Sequence, residues 1–455
     1  MKNTMNAFIN WLNKHIVPVA AKIGSVRWLI ALRDAFITIM PAMMAGAVAN
    51  VLNALIRDIP TQMHWMGIVS SMQWLIDINA MVWTGTLAIL GLIFSFTFGY
   101  QLAVQYKVEP ITGGIVTLGS FIISLPQSAS IELGSALNKG AVKALTDAGA
   151  AVSGKDVSLW GYFNFGQFFG STGFFTVMIM GAIASTVYIW LMKKNITIKM
   201  PDSVPPAVAK AFTGIIPATA ALYISGIIGY VFSKFGTTVI EFVAKTLQDP
   251  LLNLSQGFGA VLLMTVLVQV FWFFGIHGTN VLGPVMDSIW LTAQLANINA
   301  FQQGKELPYL WTRNSFDLYG WIGGAGSTLL LLFAILIFSK RDDQRSVAKL
   351  SIAPGFFNIN EPVMFGMPIV LDPIYFIPFV IAPTVMVSIA YGAVSLGLVE
   401  PIKNQIIWSM PPVFNVLIAT MDWRAVILQL FNMVVGFLIY VPFVKAANKI
   451  RPTEQ

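Results

Sequence analysis

Long apolar segments without charge run through this chain and restrict what it can fold into. Residues 425 to 444, for example, contain no charged side chain. A helix needs about 20 mainly apolar residues to cross a bilayer, whereas a β-barrel is built from short alternating strands. Only 10% of the residues are charged and 56% are hydrophobic, which is typical of a membrane protein. We therefore predict an all-α polytopic membrane protein.

About ten segments are apolar enough to be predicted as transmembrane helices. They lie near residues 29 to 56, 80 to 104, 111 to 125, 171 to 192, 211 to 233, 257 to 274, 281 to 296, 321 to 338, 374 to 398 and 425 to 444. The segments 111 to 125 and 281 to 296 are short, so one of them could be re-entrant instead.

Basic side chains cluster after the fourth, eighth and tenth predicted spans. The clusters are Lys193, Lys194 and Lys199; Lys340, Arg341, Arg345 and Lys349; and Lys445, Lys449 and Arg451. Because cytoplasmic loops are enriched in Lys and Arg, this pattern predicts that both termini are cytoplasmic. The net charge of +7 then reflects topology rather than nucleic-acid binding. Residues 1 to 28 have helical apolar spacing and read as an amphipathic segment, lying on the inner membrane face or packed on the protein itself.

A proline-rich stretch, KMPDSVPPAVAKAF at residues 199 to 212, interrupts the chain between two predicted spans. Prolines and an Asp-Ser pair are typical of a break before a new helix. We therefore divide the membrane part into an N-terminal domain, residues 29 to 200, and a C-terminal domain, residues 201 to 455.

Polar residues enter the C-terminal membrane region at two places, GIHGTN at 275 to 280 and the glycine- and proline-interrupted segment 353 to 373. Both are predicted re-entrant segments, because irregular backbone is tolerated at membrane depth only where it lines a cavity or is buried in protein. A charged residue there costs at least about 2.5 kcal/mol, so Glu361 is a functional candidate. His277 is either a ligand-binding residue or a structural one bonded to backbone.

The two interruptions are expected to converge on one site, as the broken helices of transporters do. A carboxylate beside an imidazole suits a neutral polyol, because each can accept or donate a hydroxyl hydrogen bond as its protonation requires. Trp408 offers a sugar a flat face, or else belongs to an interfacial belt. The three histidines lack metal-ligand spacing, and no phosphate-loop or dinucleotide motif is present, so we predict neither a metal nor a cofactor.

Four segments together resemble a known family. They are KMPDSVPPAVAKAF, FWFFGIHG, WTRNSFDLYGWIGGAGSTL at 311 to 329 and NINEPVMFGMPI at 358 to 369. In order and spacing they are similar to the membrane IIC component of phosphotransferase systems (PTS) of the lactose, cellobiose and diacetylchitobiose group. The resemblance covers essentially the whole chain.

The resemblance implies a homodimeric sugar permease with ten spans and re-entrant hairpins in the bacterial cytoplasmic membrane. The N-terminal domain would form the dimer interface, and the C-terminal domain would hold a β-linked disaccharide. A phosphocysteine on a cytoplasmic IIB protein, itself charged through IIA, would phosphorylate the sugar 6-hydroxyl. The sequence contains no cysteine, so the donor is expected on a separate subunit. The chain would thus act as the membrane part of a phosphotransferase.

Carried over by motif, the resemblance places Glu361 and His277 beside the reactive hydroxyl as the catalytic candidates. The implied substrate-binding residues are His277, Asn360, Glu361, Trp408, Asp317 and Gly85. Glu361 would accept the hydroxyl proton or only orient it. His277 would hold the hydroxyl or stabilise the incoming phosphoryl group.

Two other functions compete with this interpretation. In an ion-coupled sugar symporter, driven by protons or sodium, Glu361 or His277 would relay a proton without any phosphorylation. A membrane sensor would bind sugar without moving it. The resemblance favours the phosphotransferase, but cellobiose, diacetylchitobiose and lactose differ in features that the sequence does not assign to particular side chains.

Overall fold

The structure, a computed structural model, is predominantly helical. It describes residues 25–133, 137–160, 168–170, 173–201, 204–367, 369–370 and 372–448. The predicted amphipathic segment, residues 1 to 28, lies outside the described residues except for its last four positions. The first described helix begins at Arg27.

Among the described residues, six helices are long and apolar enough to cross a membrane. They are Arg27–Thr61, Gln73–Tyr106, Gly173–Lys193, Val208–Lys234, Ile374–Ser395 and Trp423–Ala447. A seventh is reached if Val239–Ser255 and Phe258–Phe273 count as one broken span, and Pro110–Ile123 and Ala325–Phe338 are shorter apolar helices. A polytopic helical membrane protein is therefore confirmed, whereas the count of ten spans stays a prediction.

The contacts among the described residues separate two compact units. One comprises the residues up to Leu87 together with those from Pro250 onwards, and the other comprises Ala88–Asp249. The predicted domain boundary near residue 200 lies inside the second unit. The division into domains 29 to 200 and 201 to 455 stays a prediction.

The second unit combines helices with a small sheet. Its helices are Leu90–Tyr106, Pro110–Ile123, Lys139–Asp147, Gly173–Thr176, Ala182–Lys193, Pro206–Lys234 and Val239–Val243. The strands β1 (Ser128–Glu132), β2 (Ala150–Ser153) and β3 (Asp156–Trp160) form an antiparallel sheet in the order β1-β3-β2.

The all-α prediction missed this sheet. Its signal is local, because the two-residue Gly154-Lys155 loop joins β2 to β3, with Ser153 paired to Asp156. Gly154 has a φ of +64°, and such a positive φ is what tight hairpin turns require.

The first unit carries the predicted polar interruptions. Its helices, besides Asp249–Ser255 at the boundary between the units, are Arg27–Thr38, Met40–Asn53, Ile59–Gln62, Met66–Ser71, Gln73–Thr84, Phe258–Phe273, Gly278–Met286, Thr292–Gln302, Arg313–Tyr319, Thr328–Phe338, Asp342–Phe356, Glu361–Gly366, Pro373–Ser395, Phe414–Thr420 and Trp423–Ala447. Both interruptions fall at breaks between helices, residues 274 to 277 and 357 to 360. A buried hydrophobic cluster that includes Trp272, Phe316 and Met364 packs around them.

Candidate functional site

A cavity of about 450 Å³ opens within the first unit. Ligand sites usually enclose about 300–1,000 Å³. The cavity lining includes five of the six predicted substrate-binding residues, namely His277, Asp317, Asn360, Glu361 and Trp408. Residues from four separate stretches of sequence thus converge, and they include the two polar interruptions that were expected to meet at one site.

Gly85 does not line this cavity. It caps the C-terminus of the helix Gln73–Thr84, with a negative φ of −77° that any residue can adopt. A Cβ added there would meet only the carbonyl oxygens of Met81 and Val82, at 3.6 and 3.9 Å. The structure therefore gives Gly85 no contact that distinguishes it as part of the site, and its role stays a prediction.

The two glycines of the GIHG motif place His277 at the cavity wall. Gly275 has a φ of +73°, which allows the chain to turn after the helix Phe258–Phe273. Gly278 packs against the backbone of Val268 so closely that a Cβ would overlap its carbonyl oxygen. One glycine thus makes the turn and the other permits close helix packing, which explains why glycines flank His277.

His277 is the N-cap of the helix Gly278–Met286. Its Nδ1 accepts a hydrogen bond from the backbone N–H of Asn280 at 3.2 Å and lies 2.9 Å from the Thr279 hydroxyl. The imidazole packs on Trp272 with 4.3 Å between ring centres. The Nε2 atom lies 3.9 Å from Glu361 Oε1, and the two side chains are 40% and 48% exposed. Both groups can therefore meet a ligand in the cavity.

Glu361 begins the short helix Glu361–Gly366, directly after the break at 357 to 360. Pro362 follows it in the first turn of the helix, where a proline is tolerated because its missing N–H would have no helical partner. The preceding Asn360 is the N-cap and is buried. This local geometry directs a half-exposed carboxylate to the cavity from an otherwise buried turn.

Asn358 links three parts of the site. Its backbone has a φ of +60°, a left-handed conformation that Asn tolerates better than most residues. Its Oδ1 accepts from the N–H of Gly323 at 2.8 Å, and its Nδ2 donates to the carbonyl of Trp408 at 2.5 Å. The break that carries Glu361, the glycine-rich run and the segment of Trp408 are thus tied by one carboxamide.

The glycine-rich run of WIGGAGSTL packs directly on Asn360. Gly324 has a φ of +91°, and a Cβ there would lie 2.8 Å from Cβ of Asn360. The Nδ2 atom of Asn360 donates to the carbonyl of Ala325 at 3.2 Å. A side chain at residue 324 would therefore displace Asn360, the predicted sugar-binding residue.

Asp317 belongs to a largely buried ion triad at the cavity wall. Arg313 donates from Nε to Asp287 at 3.0 Å and from Nη1 to Asp317 at 3.1 Å. Asn314 also donates to Asp317, at 3.1 Å. The guanidinium lies over the ring of Trp321, 5.5 Å from its centre. Asp317 is thus fully engaged with protein groups, and its clearest structural task is to hold Arg313.

The sequence did not predict Arg313 and Gln405, which line this wall, or Gln294, which is buried and bonded to Gln405. Arg313 and Asp317 have the i, i+4 spacing of a helical ion pair, which is a usable signal. The Oε1 atom of Gln294 accepts a hydrogen bond from the backbone N–H of Asn314, and its Nε2 atom donates to Oε1 of Gln405, at 2.7 Å in each bond. Gln294 and Gln405 are 111 positions apart, so no local pattern could have paired them.

Comparisons with known proteins agree with these observations. A family model described as "Phosphotransferase system, EIIC" matches residues 33–383, which is more than half of the chain. The chain is 42% identical to the cellobiose-specific EIIC component of Lactococcus lactis subsp. lactis (strain IL1403), over 99% of this chain and 100% of that protein. It is 34% identical to the oligo-beta-mannoside-specific EIIC component of Bacillus subtilis (strain 168), over 96% and 94%.

A solved structure is also similar. The transporter ChbC, the IIC component of an N,N'-diacetylchitobiose-specific phosphotransferase system, superposes with a TM-score of 0.86 at 33% identity. The match covers 96% of this chain and 98% of that one.

Proposed function

This chain belongs to the phosphotransferase-system EIIC family of bacterial membrane sugar permeases, and from that premise we propose that it carries a β-linked disaccharide and presents it for phosphorylation. The observation that supports this most directly is the convergence of His277, Glu361 and Trp408 on one cavity. The substrate would cross the bacterial cytoplasmic membrane and leave as a sugar phosphate.

The chemistry of the cavity suits a neutral sugar. Carboxylate, imidazole and amide groups can match hydroxyls, while Trp408, 44% exposed, offers an aromatic face for a pyranose ring. Relatives named for cellobiose, oligo-beta-mannoside and diacetylchitobiose share β linkages between their sugars. A short β-linked saccharide is therefore the substrate class assigned to this chain.

Phosphoryl transfer to the sugar would take place in the space between the side chains of His277 and Glu361. The sugar 6-hydroxyl oxygen attacks the phosphorus of a phosphocysteine, a new P–O bond forms, the P–S bond breaks and the cysteine leaves as a thiolate. The hydroxyl proton passes to Glu361. Because this sequence contains no cysteine, the donor is assigned to a cytoplasmic IIB protein that IIA recharges. The chain itself contributes positioning and charge stabilisation, on which phosphoryl transfer chiefly depends.

The remaining assignments complete the proposal. Asn360 would contribute its carboxamide oxygen to the sugar, Asp317 would act through Arg313, and Gly85 would approach the sugar only by its backbone. The chain would have ten spans, cytoplasmic termini and a homodimer interface in its N-terminal domain. Basic clusters after three even-numbered predicted spans support that topology.

Right-side-out vesicles, in which the cytoplasmic face of the protein is inside, test the proposal. They hold this protein with radiolabelled cellobiose outside and the matching IIB, phosphorylated or unphosphorylated, within. Sugar 6-phosphate is expected inside only with phosphorylated IIB. Unmodified sugar accumulating under a proton or sodium gradient alone would establish the symporter instead. Sugar binding without any transfer across the vesicle would leave only the sensor.

A further inference from the structure

We infer that the backbone N–H of Asn280 and the hydroxyl of Thr279 hold neutral His277 in the tautomer that carries its proton on Nε2. His277 is then a hydrogen-bond donor towards the cavity, which leaves Glu361 as the acceptor of the hydroxyl proton that the proposed function already assigns to it. The tautomer rests on geometry alone, whereas the division of catalytic roles rests on the proposed function.

The hydrogen-bond partners of Nδ1 of His277 determine where the ring proton lies. The backbone N–H of Asn280 is shared between the carbonyl oxygen of His277, at 3.0 Å, and Nδ1 of His277, at 3.2 Å. A backbone N–H can only donate, so Nδ1 is an acceptor in this shared bond. A neutral imidazole has one protonated and one unprotonated nitrogen. The proton of neutral His277 is therefore on Nε2. The Thr279 hydroxyl, 2.9 Å from Nδ1, then serves as a second donor to the same atom.

The surroundings of the ring hold this orientation. Turning the imidazole over would place a carbon where Nδ1 caps the helix, and the N–H of Asn280 would keep only its 3.0 Å bond to the carbonyl of His277. The ring is also packed on Trp272, with 46° between the ring planes. His277 thus has one favoured orientation as well as one favoured tautomer.

The opposite edge of the ring faces Glu361. With Nε2 and Oε1 3.9 Å apart, a hydroxyl oxygen can lie beside their connecting line at about 2.8 Å from both. It would accept from Nε2–H and donate its own proton to Glu361, leaving a lone pair for the phosphorus. If Nε2 were unprotonated, both groups would compete for that one proton, and nothing would orient the oxygen.

Solid-state NMR measures the tautomer directly. The chain contains three histidines, so His15→Gln with His64→Asn leaves His277 as the single ¹⁵N-histidine signal in membranes. Nε2 is identified by its coupling to both ring carbon-bound protons. At a pH where the ring is neutral, the proton is expected on Nε2. A proton on Nδ1 would overturn the inference whether or not the protein transports sugar.

Two variants of His277 separate the donor from the helix cap. His277→Asn keeps an oxygen that can accept from the N–H of Asn280 but removes the donor near Glu361, whereas His277→Gln can place an amide N–H near the position of Nε2. Phosphorylation by phospho-IIB is expected to be at least tenfold faster with Gln than with Asn. Equal rates would overturn the donor role, and phosphorylation absent from the unmodified protein would overturn the proposed function while leaving the tautomer intact.

Thr279 is a positioning residue in this scheme. Thr279→Val removes its hydroxyl with little change of shape, and Thr279→Ser restores the hydroxyl. The valine variant is expected to broaden or shift the Nδ1 resonance and to lower the rate of phosphorylation several-fold without weakening sugar binding. The serine variant should recover both. An unchanged Nδ1 resonance in the valine variant would exclude Thr279 from this role.

Discussion

Two sets of ionisable groups line the same cavity and are held in opposite ways. His277 and Glu361 are 3.9 Å apart and nearly half exposed. Arg313 is bound to Asp287 and Asp317 at 3.0 and 3.1 Å, and all three side chains are largely buried. The loose pair leaves hydrogen-bonding capacity for a ligand, whereas the tight triad uses its capacity on itself. Proximity to a cavity therefore does not by itself identify a reactive group.

Replacing Glu361 by Gln should have the largest effect, and on chemistry. A general base contributes about 10²–10⁴ in rate, so IIB-dependent phosphorylation should fall by that factor while sugar binding persists. Radiolabelled sugar phosphate and equilibrium binding measure the two separately. Glu306→Gln, at an exposed residue outside the cavity, is the matched control. Full activity of Glu361→Gln would remove the base from the mechanism.

Replacing Arg313 by Met should instead destabilise the fold. It leaves Asp287 and Asp317, which are largely buried, without their countercharge, and breaking a buried pair costs about 3–5 kcal/mol. Thermal unfolding in detergent measures the loss. Arg341→Met is the control, because its partner Asp343 is 56% exposed and such surface pairs contribute at most about 1 kcal/mol. Equal losses in the two variants would show that the triad is no tighter than a surface pair.

Replacing Asn358 by Ala should have an intermediate effect on both stability and sugar affinity. The variant loses bonds to Gly323 and Trp408, and a lost buried hydrogen bond leaves a group whose desolvation costs about 1–3 kcal/mol. Asn195→Ala controls for the backbone, because Asn195 is also left-handed, with a φ of +53°, but exposed. If both variants lose the same stability, the backbone conformation rather than the two bonds explains the effect.

Replacing Gly85 by Ala should have the smallest effect. The added methyl would make only ordinary contacts with backbone oxygens, so unfolding stability should change by less than about 0.5 kcal/mol. Sugar binding measured beside stability sharpens the comparison. A large loss of affinity at unchanged stability would place Gly85 against the sugar, as the family resemblance implies.

The parts of the site that could be predicted are those with a local physical signal. Glu361 stood out because a carboxylate inside an apolar stretch is costly, and His277 stood out because two glycines flank it. Arg313 had a weaker signal in its spacing to Asp317. The bonds of Asn358 to Gly323 and Trp408 were out of reach, since they join residues 35 and 50 positions apart.

The sheet of the second unit shows another limit of prediction from the sequence. Its hairpin has a local turn signal at Gly154, but apolar membrane segments dominate the composition and favour an all-helical interpretation. Global composition thus predicted the class of protein, while a local exception within it went unnoticed.

The single carboxamide of Asn358 has a mechanical consequence. Because its side chain is bonded to the backbone of both Gly323 and Trp408, the segment of Trp408 is linked directly to the turn that carries Glu361. A sugar resting on the indole ring would therefore keep its spacing from Glu361 when surrounding helices shift. The distance between the indole of Trp408 and the carboxylate of Glu361 would then select the substrate. Saccharides of the wrong length or linkage would place the wrong hydroxyl beside Glu361.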